Sequence, residues 1–441
     1  MLGVQTQTHQ LALEDKLRRK TARVGIVGLG YVGLPLAVGF AKAGFHVTGI
    51  DVQESKVASI NSGYSYVQDV DGESLQDLVA SGHLVATADF SIIAELDTIN
   101  ICVPTPLRKT KDPDMSFIVE AGSQIAKYAH PGLLVILEST TYPGTTEELL
   151  LPMFEAPDYK VGQDFFLCFS PERVDPGNPL FQTVNIPKVV GGVTEACTAM
   201  GALFYSQALE TVVPASSTRV AEMVKLLENT FRMINIGLVN EMALMCDRMG
   251  IDIWEVIDAA ATKPFGFMPF YPGPGLGGPC IPIDPFYLFW KSKQAGIQAR
   301  FIELAGYING QMPHFVVEKI QNALNERTKP LRGSHIHILG VAYKRDIDDV
   351  RESPALDIIH ILRQRGSNVT YSDPHIPTLR IDSGDQLCAE SLEPAIIAAD
   401  AVVIITDHTS FEYESVVEQA QVIVDTCNAL KHFKKENIVR L

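Results

Sequence analysis

A short β-branched run that stops at a glycine-rich turn places the strongest constraint on the fold of this chain. Residues 23–28 are typical of a buried strand, and a helical stretch from 34 to 43 follows the turn. A second strand, 46–50, then ends at Asp51. Strands that alternate with helices predict a parallel, doubly wound sheet, whose ligand site lies at the carboxyl ends of the strands.

The glycine turn has the G-x-G-x-x-G spacing of a dinucleotide-binding site, with an acid about 20 residues further on. Gly28 permits a tight turn, Gly30 lets the backbone approach a pyrophosphate, and Gly33 lets helix and strand pack closely. The helix N-terminus favours phosphate charge, and Asp51 can accept hydrogen bonds from ribose hydroxyls, which favours NAD. Lys56 leaves NADP open, and a purely structural glycine turn is the alternative interpretation. The predicted cofactor residues here are Gly28, Gly30, Tyr31, Val32, Gly33, Asp51 and Lys56.

Two further strands of the same sheet are expected at 97–103 and 133–138, and each is followed by a loop with proline or hydroxyl side chains. These loops stand where the nicotinamide half of a cofactor would lie, and hydroxyl and backbone N–H groups suit it. Ordinary turn chemistry is the alternative. The residues concerned are Val103, Pro104 and Thr105 after the first strand, and Thr140 and Thr141 after the second.

The rest of the chain is predicted to form a helical middle and a second sheet. Helical periodicity covers 217–249, 251–261, 287–295 and 302–324. From Gly333 onward, a strand, a glycine, a helix and a strand ending in Asp373 repeat the first pattern. We therefore predict an α/β fold with two Rossmann-like doubly wound parallel sheets, joined by a central helical domain with one long helix. The expected limits are an N-terminal extension (1–21), a NAD-binding domain (22–213), a central helical domain with the cysteine loop (214–328) and a second Rossmann-like domain (329–441).

One cysteine stands near the end of a loop unusually rich in proline and glycine, between residues 272 and 284. Glycines let a backbone pass close to a ligand, whereas a core cysteine would sit in an apolar periodic run. Cys280 is therefore interpreted as a nucleophile, with Asp284 one helical turn further on if the chain coils there. An incidental cysteine in a surface loop is the alternative.

The long predicted helix carries a second polar set. Lys225 and Asn229 are four residues apart and share a face, and Arg232 lies three residues further on. Apolar neighbours such as Leu227 and Phe231 predict substantial burial of this helix, and a buried lysine is costly unless it is paired or used. The alternative is a surface lysine with a solvated head group.

A third polar loop follows the apolar run 165–169 and sets Glu172 beside Arg173 and Val174. As a bare pattern this loop is a turn. As part of a site, it offers a carboxylate base and a contact for an anion.

Composition limits the class of partner. Thirty-six basic residues against 52 acidic ones give a net charge of −16, which argues against nucleic acid or an anionic membrane as partner but leaves small anions open. No apolar run reaches the roughly 18–20 residues of a membrane helix, and the first 20 residues are polar. Seven cysteines without metal or disulfide spacing predict a reducing, cytoplasmic location and no bound metal.

Taken in this order, the motifs resemble the UDP-glucose/GDP-mannose dehydrogenase family from about residue 24 to about residue 406. The glycine fingerprint, the V-P-T-P strand end, the S-P-E loop, the K-x-x-x-N helix and the G-G-x-C-x-x-x-D loop all match. The 170–177 and 264–275 segments are similar to the branch that oxidises UDP-N-acetylhexosamines. The chain departs from that branch at Pro279, where histidine is usual, and at Tyr307, where glutamate is expected.

The resemblance implies a four-electron oxidation of the sugar C6 alcohol to a carboxylate, using two NAD⁺. Lys225 and Asn229 would handle the proton and the oxyanion, while Cys280 would capture the aldehyde as a thiohemiacetal that becomes a thioester. Glu172 would be the base for thioester hydrolysis. The implied catalytic set is Cys280, Lys225, Asn229, Glu172 and, as the residues that orient water, Thr141 and Asp284.

The same resemblance implies ligand contacts from the second half of the chain. Arg351 matches a residue that reaches the cofactor, and Tyr343 and Lys344 match a nucleotide contact. Each of these residues has a plain alternative as a surface side chain. A homodimer or higher homo-oligomer through the long helix is also implied. The implied substrate set is Arg173, Val174, Lys225, Asn229, Arg232, Tyr271, Leu276, Gly277, Tyr343 and Lys344.

Among substrates, UDP-N-acetylglucosamine is expected, with UDP-N-acetylmannosamine, UDP-N-acetylgalactosamine and UDP-glucose as alternatives. Two other classes of function stay open. A two-electron NAD-dependent hydroxy-acid dehydrogenase would share the first sheet but would not need Cys280. A non-enzymatic NAD-binding regulator would bind NAD and reduce none of it with any UDP-sugar.

Overall fold

The computed structural model describes residues 2–67, 69–108, 112–175, 180–181, 183–381 and 384–441, and the side chains of these from residue 9 onward. They fall into two compact units. The N-terminal unit comprises Met1–Glu228 and Phe286–Gly296, and the C-terminal unit comprises Asn229–Pro285 and Ile297–Leu441. The division at residue 228 lies inside the longest helix of the chain.

The N-terminal unit contains an eight-stranded sheet. Its strands are β1 Arg23–Val27, β2 His46–Ile50, β3 Leu84–Thr87, β4 Thr98–Ile101, β5 Leu134–Leu137, β6 Phe166–Phe169, β7 Lys188–Gly192 and β8 Val212–Ala215. Their order in the sheet is β3-β2-β1-β4-β5-β6-β7-β8. All neighbouring pairs are parallel except β6 and β7, which run antiparallel. Strands β4, β5 and β6 are buried at every position, as expected for a sheet covered on both faces.

Helices cover this sheet. They are α1 Leu2–Arg18, α2 Gly33–Lys42, α3 Glu54–Asn61, α4 Gly72–Ala80, α5 Ser116–Ala126, α6 Leu151–Phe154 and α7 Glu195–Ser206, with a 3-10 helix Phe90–Glu95 and a π-helical turn Thr146–Leu150. The segment expected as an extension, 1–21, contains α1. Its Leu13 and Leu17 are buried in the same apolar cluster as Phe40 and Phe204, so this helix is part of the core.

The C-terminal unit contains a second, five-stranded parallel sheet. Its strands are β9 His335–Leu339, β10 Asn368–Ser372, β13 Ala401–Ile404, β14 Ile423–Asp425 and β15 Ile438–Arg440, in the order β10-β9-β13-β14-β15, and β11 Thr378–Arg380 with β12 Gln386–Cys388 forms an antiparallel hairpin. The remaining helices of the chain are α8 Thr218–Met249, α9 Ile253–Ala261, α10 Asp284–Gln294, α11 Arg300–Asn325, α12 Pro354–Gln364, α13 Leu392–Ala398 and α14 Tyr413–Gln419. Among the described residues, no helix is both long and apolar enough to cross a bilayer.

Helix α8 is buried on one face only. Leu226 is fully buried, but Leu227 is 61% exposed and Phe231 is 47% exposed, so the prediction of substantial burial is wrong for these neighbours of Lys225 and Asn229. The exposed apolar side continues along the helix through Leu238, Met242, Met245 and Met249, at the three- and four-residue spacing of one helical face. The homo-oligomer through this helix stays a prediction.

Candidate active site

The glycine turn between β1 and α2 has the shape that a bound pyrophosphate requires. Gly28 has φ +91°, and a Cβ there would lie 2.6 Å from the carbonyl oxygen of Cys102. A Cβ on Gly33 would overlap the carbonyl oxygen of Gly28. Around Gly30, by contrast, a Cβ would meet no described atom within 4 Å. The turn therefore leaves space beside Gly30 and none beside the other two glycines, which fits a dinucleotide. Tyr31 is 47% exposed beside this space.

Asp51, directly after β2, holds this turn. Its Oδ2 accepts the N–H of Leu29 at 2.9 Å, and its Oδ1 accepts the N–H of Gln53 at 2.9 Å. Lys56 Nζ lies 3.3 Å from Oδ2 and pairs with the carboxylate. A carboxylate offers about four acceptor positions, so capacity for a ribose hydroxyl is left. Val32 precedes α2 as its N-cap residue.

The loop after β4 is fixed through its backbone. The Val103 carbonyl accepts a hydrogen bond from Ser139 Oγ at 2.7 Å, and the Thr105 carbonyl accepts one from the Tyr287 hydroxyl at 2.8 Å. Pro104, between them, is exposed. The two carbonyls thus have internal partners, and the proline faces solvent.

The loop after β5 contains a pair of hydroxyl groups. Thr140 is partly exposed, whereas Thr141 is buried and its hydroxyl donates to Thr145 Oγ1. Thr145 in turn donates to the carbonyl of Tyr142 at 2.8 Å. The position of the Thr141 hydroxyl, predicted to orient water, therefore depends on Thr145.

A buried ion network surrounds Glu172, which follows β6. Lys188 Nζ lies 2.6 Å from Glu138 Oε2 and 3.2 Å from Glu172 Oε2, and all three side chains are at most 14% exposed. The backbone N–H groups of Arg173 and Val174 donate to Glu172 Oε1 at 2.8 Å. Burial opposes ionisation of Glu172, but Lys188, the Val174 N–H and the charge of Lys225 outweigh it and hold the pKa of Glu172 below its ordinary value. Glu172 is therefore an ionised carboxylate, the state that a general base requires.

Sequence reasoning missed Glu138 and Lys188. Glu138 also accepts hydrogen bonds from Asn100 Nδ2 and from the Tyr205 hydroxyl, both at 2.6 Å. Burial disfavours the ammonium form of Lys188, but Glu138 and Glu172 together raise the pKa of Lys188 above its ordinary value. A signal was available in the sequence, because Lys188 is a charged residue on an otherwise apolar strand. This pattern indicates that a charge is buried, but it does not indicate which residue pairs with it.

Lys225 and Arg173 lie near the same loop. Lys225 is buried on α8, and its Nζ donates to the backbone carbonyl of Glu172 at 2.6 Å. Arg173 forms an ion pair with Glu228 at 2.6 Å and donates to the Pro187 carbonyl at 2.7 Å. The N-terminal unit thus brings together Lys225, Glu172 and Arg173. Pro176 and Gly177, from the same predicted loop, lie outside the described residues.

In the C-terminal unit, Cys280 lies at the turn that leads into α10. Its carbonyl accepts the N–H of Asp284 at 2.8 Å and that of Ile283 at 3.1 Å, so the chain coils here. The Cys280 side chain is partly exposed. Asp284 is buried, and its Oδ2 accepts a hydrogen bond from Asn229 Nδ2 at 2.5 Å. Asn229 and Asp284 are therefore in direct contact, one turn from the thiol.

The glycines before Cys280 allow the loop to pack on Tyr343. A Cβ on Gly277 would lie 2.6 Å from Tyr343 Cβ, and one on Gly278 (φ +88°) would lie 2.7 Å from Tyr343 Cε2. The Gly278 N–H donates to the carbonyl of Arg351 at 3.0 Å. Leu276 is partly buried in this loop. Four residues assigned by resemblance to the substrate or the cofactor are thus neighbours.

Other predicted ligand contacts already have partners within the unit. Tyr271 stacks on Trp254 with ring centroids 5.8 Å apart, and its hydroxyl donates to Asp258 Oδ1 at 2.9 Å. Arg351 pairs with Asp349 on its own loop, with Nη2 at 2.6 Å from Oδ2. The last two members of the substrate and cofactor sets are Lys344, which is partly buried, and Arg232, which is exposed.

Asp373 follows β10 as Asp51 follows β2, and its carboxylate accepts hydrogen bonds from donors of the protein itself. It accepts the Val341 N–H at 2.7 Å and lies 3.1 Å from His408 Nε2. Asp346, His375 and His408 offer atoms within 4.8 Å of one another, which is compact enough to suggest a metal. However, His408 Nδ1 accepts the Asp346 N–H at 2.9 Å, so both ring nitrogens of His408 are used. We assign no metal to this group.

The glycine turn and the sheet that carries it place the chain among the dinucleotide-binding α/β proteins. The chain matches three domains of the UDP-glucose/GDP-mannose dehydrogenase family: the NAD binding domain over residues 22–209, the central domain over 219–311 and the UDP binding domain over 337–432. It therefore belongs to this family. The predicted family, fold class, NAD cofactor and class of enzyme, a NAD-dependent dehydrogenase of nucleotide sugars, are confirmed.

Similar proteins cover nearly the whole chain. The UDP-N-acetyl-D-mannosamine dehydrogenase of Pyrococcus horikoshii is 34% identical over 415 residues, which are 93% of this chain and 96% of that protein. The enzyme of the same name from Salmonella typhi is 36% identical over 88% of this chain and 94% of its own. A solved structure of the Pyrococcus horikoshii protein has a TM-score of 0.86 and covers 95% of this chain and 98% of that one.

Two glycine variants should separate binding from folding. Gly30→Ala is expected to fold normally and to weaken NAD binding at least about tenfold, because its methyl group enters space that only the ligand fills. Gly33→Ala is expected to lose about 1–3 kcal/mol of stability, because its Cβ overlaps the backbone of Gly28. Calorimetric NAD titration and urea unfolding without NAD measure the two effects. An unchanged NAD affinity in Gly30→Ala would contradict the interpretation that NAD occupies the space beside Gly30.

Proposed function

We propose that the protein catalyses the NAD-dependent, four-electron oxidation of the C6 hydroxymethyl group of a UDP-N-acetylhexosamine to a carboxylate. The observation that carries this proposal is the Asn229–Asp284 contact one turn from Cys280, in a glycine-rich loop that packs on Tyr343. A two-electron dehydrogenase has no use for such a thiol, whereas an enzyme that oxidises an alcohol twice needs to hold the aldehyde between the two steps.

The first oxidation requires a proton acceptor and a donor to the developing oxyanion. NAD⁺, which the glycine turn and Asp51 would hold, would supply the hydride acceptor, with one NAD⁺ consumed in each of the two oxidations. Lys225 takes the hydroxyl proton, directly or through water, and its ammonium form then stabilises negative charge on the oxygen. Asn229 Nδ2 carries two N–H groups, of which one donates to Asp284, so the other is available for the same oxygen.

The second oxidation proceeds on the thiol. Cys280 Sγ bonds to C6 of the aldehyde while the thiol proton passes to the carbonyl oxygen, which gives a thiohemiacetal. Loss of the remaining C6 hydride to the second NAD⁺ and of the hydroxyl proton to Lys225 then gives a thioester. Water then attacks the thioester, Glu172 takes a proton from that water, and the S–C6 bond breaks to release the carboxylate. Lys188 keeps Glu172 ionised for this task, because it lies 3.2 Å from Glu172 Oε2.

The sugar epimer is the finer part of the proposal. Sequence reasoning favoured UDP-N-acetylglucosamine. The similar proteins from Pyrococcus horikoshii and Salmonella typhi carry the name UDP-N-acetyl-D-mannosamine dehydrogenase and span nearly the whole chain, which supports UDP-N-acetylmannosamine as the first candidate. UDP-N-acetylglucosamine is the second candidate, supported by the resemblance of the 170–177 and 264–275 segments to the branch that oxidises UDP-N-acetylhexosamines.

A panel of four UDP-sugars tests the proposal. The expected result is oxidation of one N-acetylhexosamine at a kcat/KM at least about tenfold above the others, with two NADH formed for each sugar consumed. NADH absorbance and mass spectrometry of the product measure the ratio and the carboxylate. One NADH per sugar would refute the thioester route. NAD binding without oxidation of any UDP-sugar would favour the alternative that the protein is a non-enzymatic NAD-binding regulator.

A further inference from the structure

A buried carboxylate on α8, which the reaction scheme does not use, lies three residues before Lys225. Glu222 is fully buried. Its Oε2 accepts the backbone N–H of Gly144 at 2.5 Å, and its Oε1 accepts the N–H and the hydroxyl of Thr146 at 2.9 and 2.7 Å. Three donors from one short turn therefore converge on a single side chain.

This turn leads directly to Thr141. Thr145 stands between the two residues that Glu222 holds, and its hydroxyl receives the hydrogen bond of the Thr141 hydroxyl. Lys225 follows Glu222 at i+3 on the same helix face and donates to the Glu172 carbonyl at 2.6 Å. Thr141 is thus linked to the helix that presents Lys225 by its hydrogen bond to Thr145, by the backbone on either side of Thr145 and by the hydrogen bonds of Gly144 and Thr146 to Glu222.

The chemistry of the donors requires a carboxylate at this position. The N–H groups of Gly144 and Thr146 stand at the start of the helical segment that runs from Thr146 to Phe154, where they have no partner within the helix. Both Glu222 oxygens accept, whereas the amide nitrogen of a glutamine cannot accept from Gly144. A buried charge is costly, so an apolar residue would be expected here if the turn needed only packing.

We propose that Glu222 is a positioning residue, whose ionised carboxylate holds the Gly144–Thr146 turn, and through Thr145 the Thr141 hydroxyl, in the arrangement that the reaction at Lys225 requires. The inference rests on the proposed function, because orienting water is a role that Thr141 has only in that reaction. It adds a residue that belongs to neither the predicted substrate set nor the predicted cofactor set.

The ionisation of Glu222 gives the inference a pH signature. Burial raises the pKa of Glu222 from 4.5 to about 7, against the lowering effect of the Gly144 and Thr146 donors. Tyr142 and the carboxylate of Glu147 face it from the loop side, and Arg219 faces it from α8. Protonation places an O–H against groups that themselves donate, so the turn loosens as the pH falls below about 7.

The test compares Glu222→Gln with Glu148→Gln, a neighbouring carboxylate that is 40% exposed and pairs with Lys291. For Glu222→Gln we expect kcat to fall by about 10–100-fold with little change in KM for the UDP-sugar, because a misplaced group affects the rate more than binding. In the wild-type protein, kcat should decrease as the pH falls below about 7, which gives the kcat profile an acidic limb. This limb should be absent in Glu222→Gln. Glu148→Gln should keep both the rate and the limb.

Amide hydrogen exchange over residues 141–146 provides a measurement that needs no substrate. Faster exchange in Glu222→Gln than in Glu148→Gln, together with the lost rate, supports the inference. Unchanged exchange, or faster exchange with wild-type kcat and pH profile, overturns it. If the wild-type protein oxidises no UDP-sugar, the proposed function fails by itself, and exchange alone then decides whether Glu222 positions Thr141. A urea midpoint at pH 8 confirms that the variant folds.

Discussion

Replacement of Cys280 by serine is expected to abolish carboxylate formation and to lower steady-state NADH production by at least about a thousandfold. A serine hydroxyl at this position is not ionised near neutral pH, so it does not capture the aldehyde, and the second hydride never becomes available. The first oxidation can still proceed to a limited extent, because Lys225, Asn229 and Asp284 are unchanged. Rapid mixing should therefore show at most one NADH per enzyme, and mass spectrometry should show no uronic acid.

Cys388→Ser is the matched control, because Cys388 is an exposed thiol in the same unit, on the β11–β12 hairpin. It should leave the rate and the product unchanged, which separates loss of a reactive thiol from loss of any thiol. An undiminished yield of acid from Cys280→Ser would remove the thioester from the mechanism. The two-electron dehydrogenase would then be the better description of the protein.

Local pattern was sufficient to predict most of the fold. Helical periodicity predicted a helix over 217–249, and α8 spans Thr218–Met249. The apolar runs before Asp51 and Asp373 predicted β2 and β10 within one residue. The antiparallel pairing of β7 with β6 was not predicted, because strand direction depends on which neighbour a strand meets in the folded sheet and leaves no local mark. Helix α1 was missed because, among its described side chains (residues 9–18), Leu13 and Leu17 are the buried ones and most of their neighbours are charged or polar.

The candidate site also contains residues that local sequence patterns predict and residues that only the fold brings together. Residues in dense motifs, such as Gly30 and Cys280, could be predicted as site residues because glycine and cysteine in those patterns have few structural reasons to occur, and their roles stay predictions. The buried network could not, because Lys188 and Glu138 are 50 residues apart and meet only when β5 and β7 enter one sheet. The exposed side of α8 also escaped prediction, because an apolar residue such as Leu227 has the same sequence pattern whether its face packs or not.

Replacement of Lys188 by methionine is expected to lower the free energy of unfolding by about 3–5 kcal/mol, because it leaves two buried carboxylates without their cation. The pH dependence of the free energy of unfolding should also change sign in this variant. In the wild-type protein the pKa of Glu172 is below its ordinary value, so its contribution to stability is present above that value and is lost as the pH falls. In Lys188→Met, burial of Glu172 is no longer offset by Lys188 and raises the pKa of Glu172, so the loss of stability should grow from pH 5 to pH 8.

Lys16→Met is the matched control, since Lys16 Nζ also lies 2.6 Å from a carboxylate, that of Asp97, but its side chain is 51% exposed. Exposed pairs contribute little, so this variant should lose at most about 1 kcal/mol. Adding Glu138→Gln to Lys188→Met removes one of the uncompensated charges and should recover part of the loss. Equal urea midpoints for Lys188→Met and Lys16→Met would mean that water or a rearranged neighbour compensates Glu138 and Glu172. The lysine would then not be what keeps Glu172 ionised.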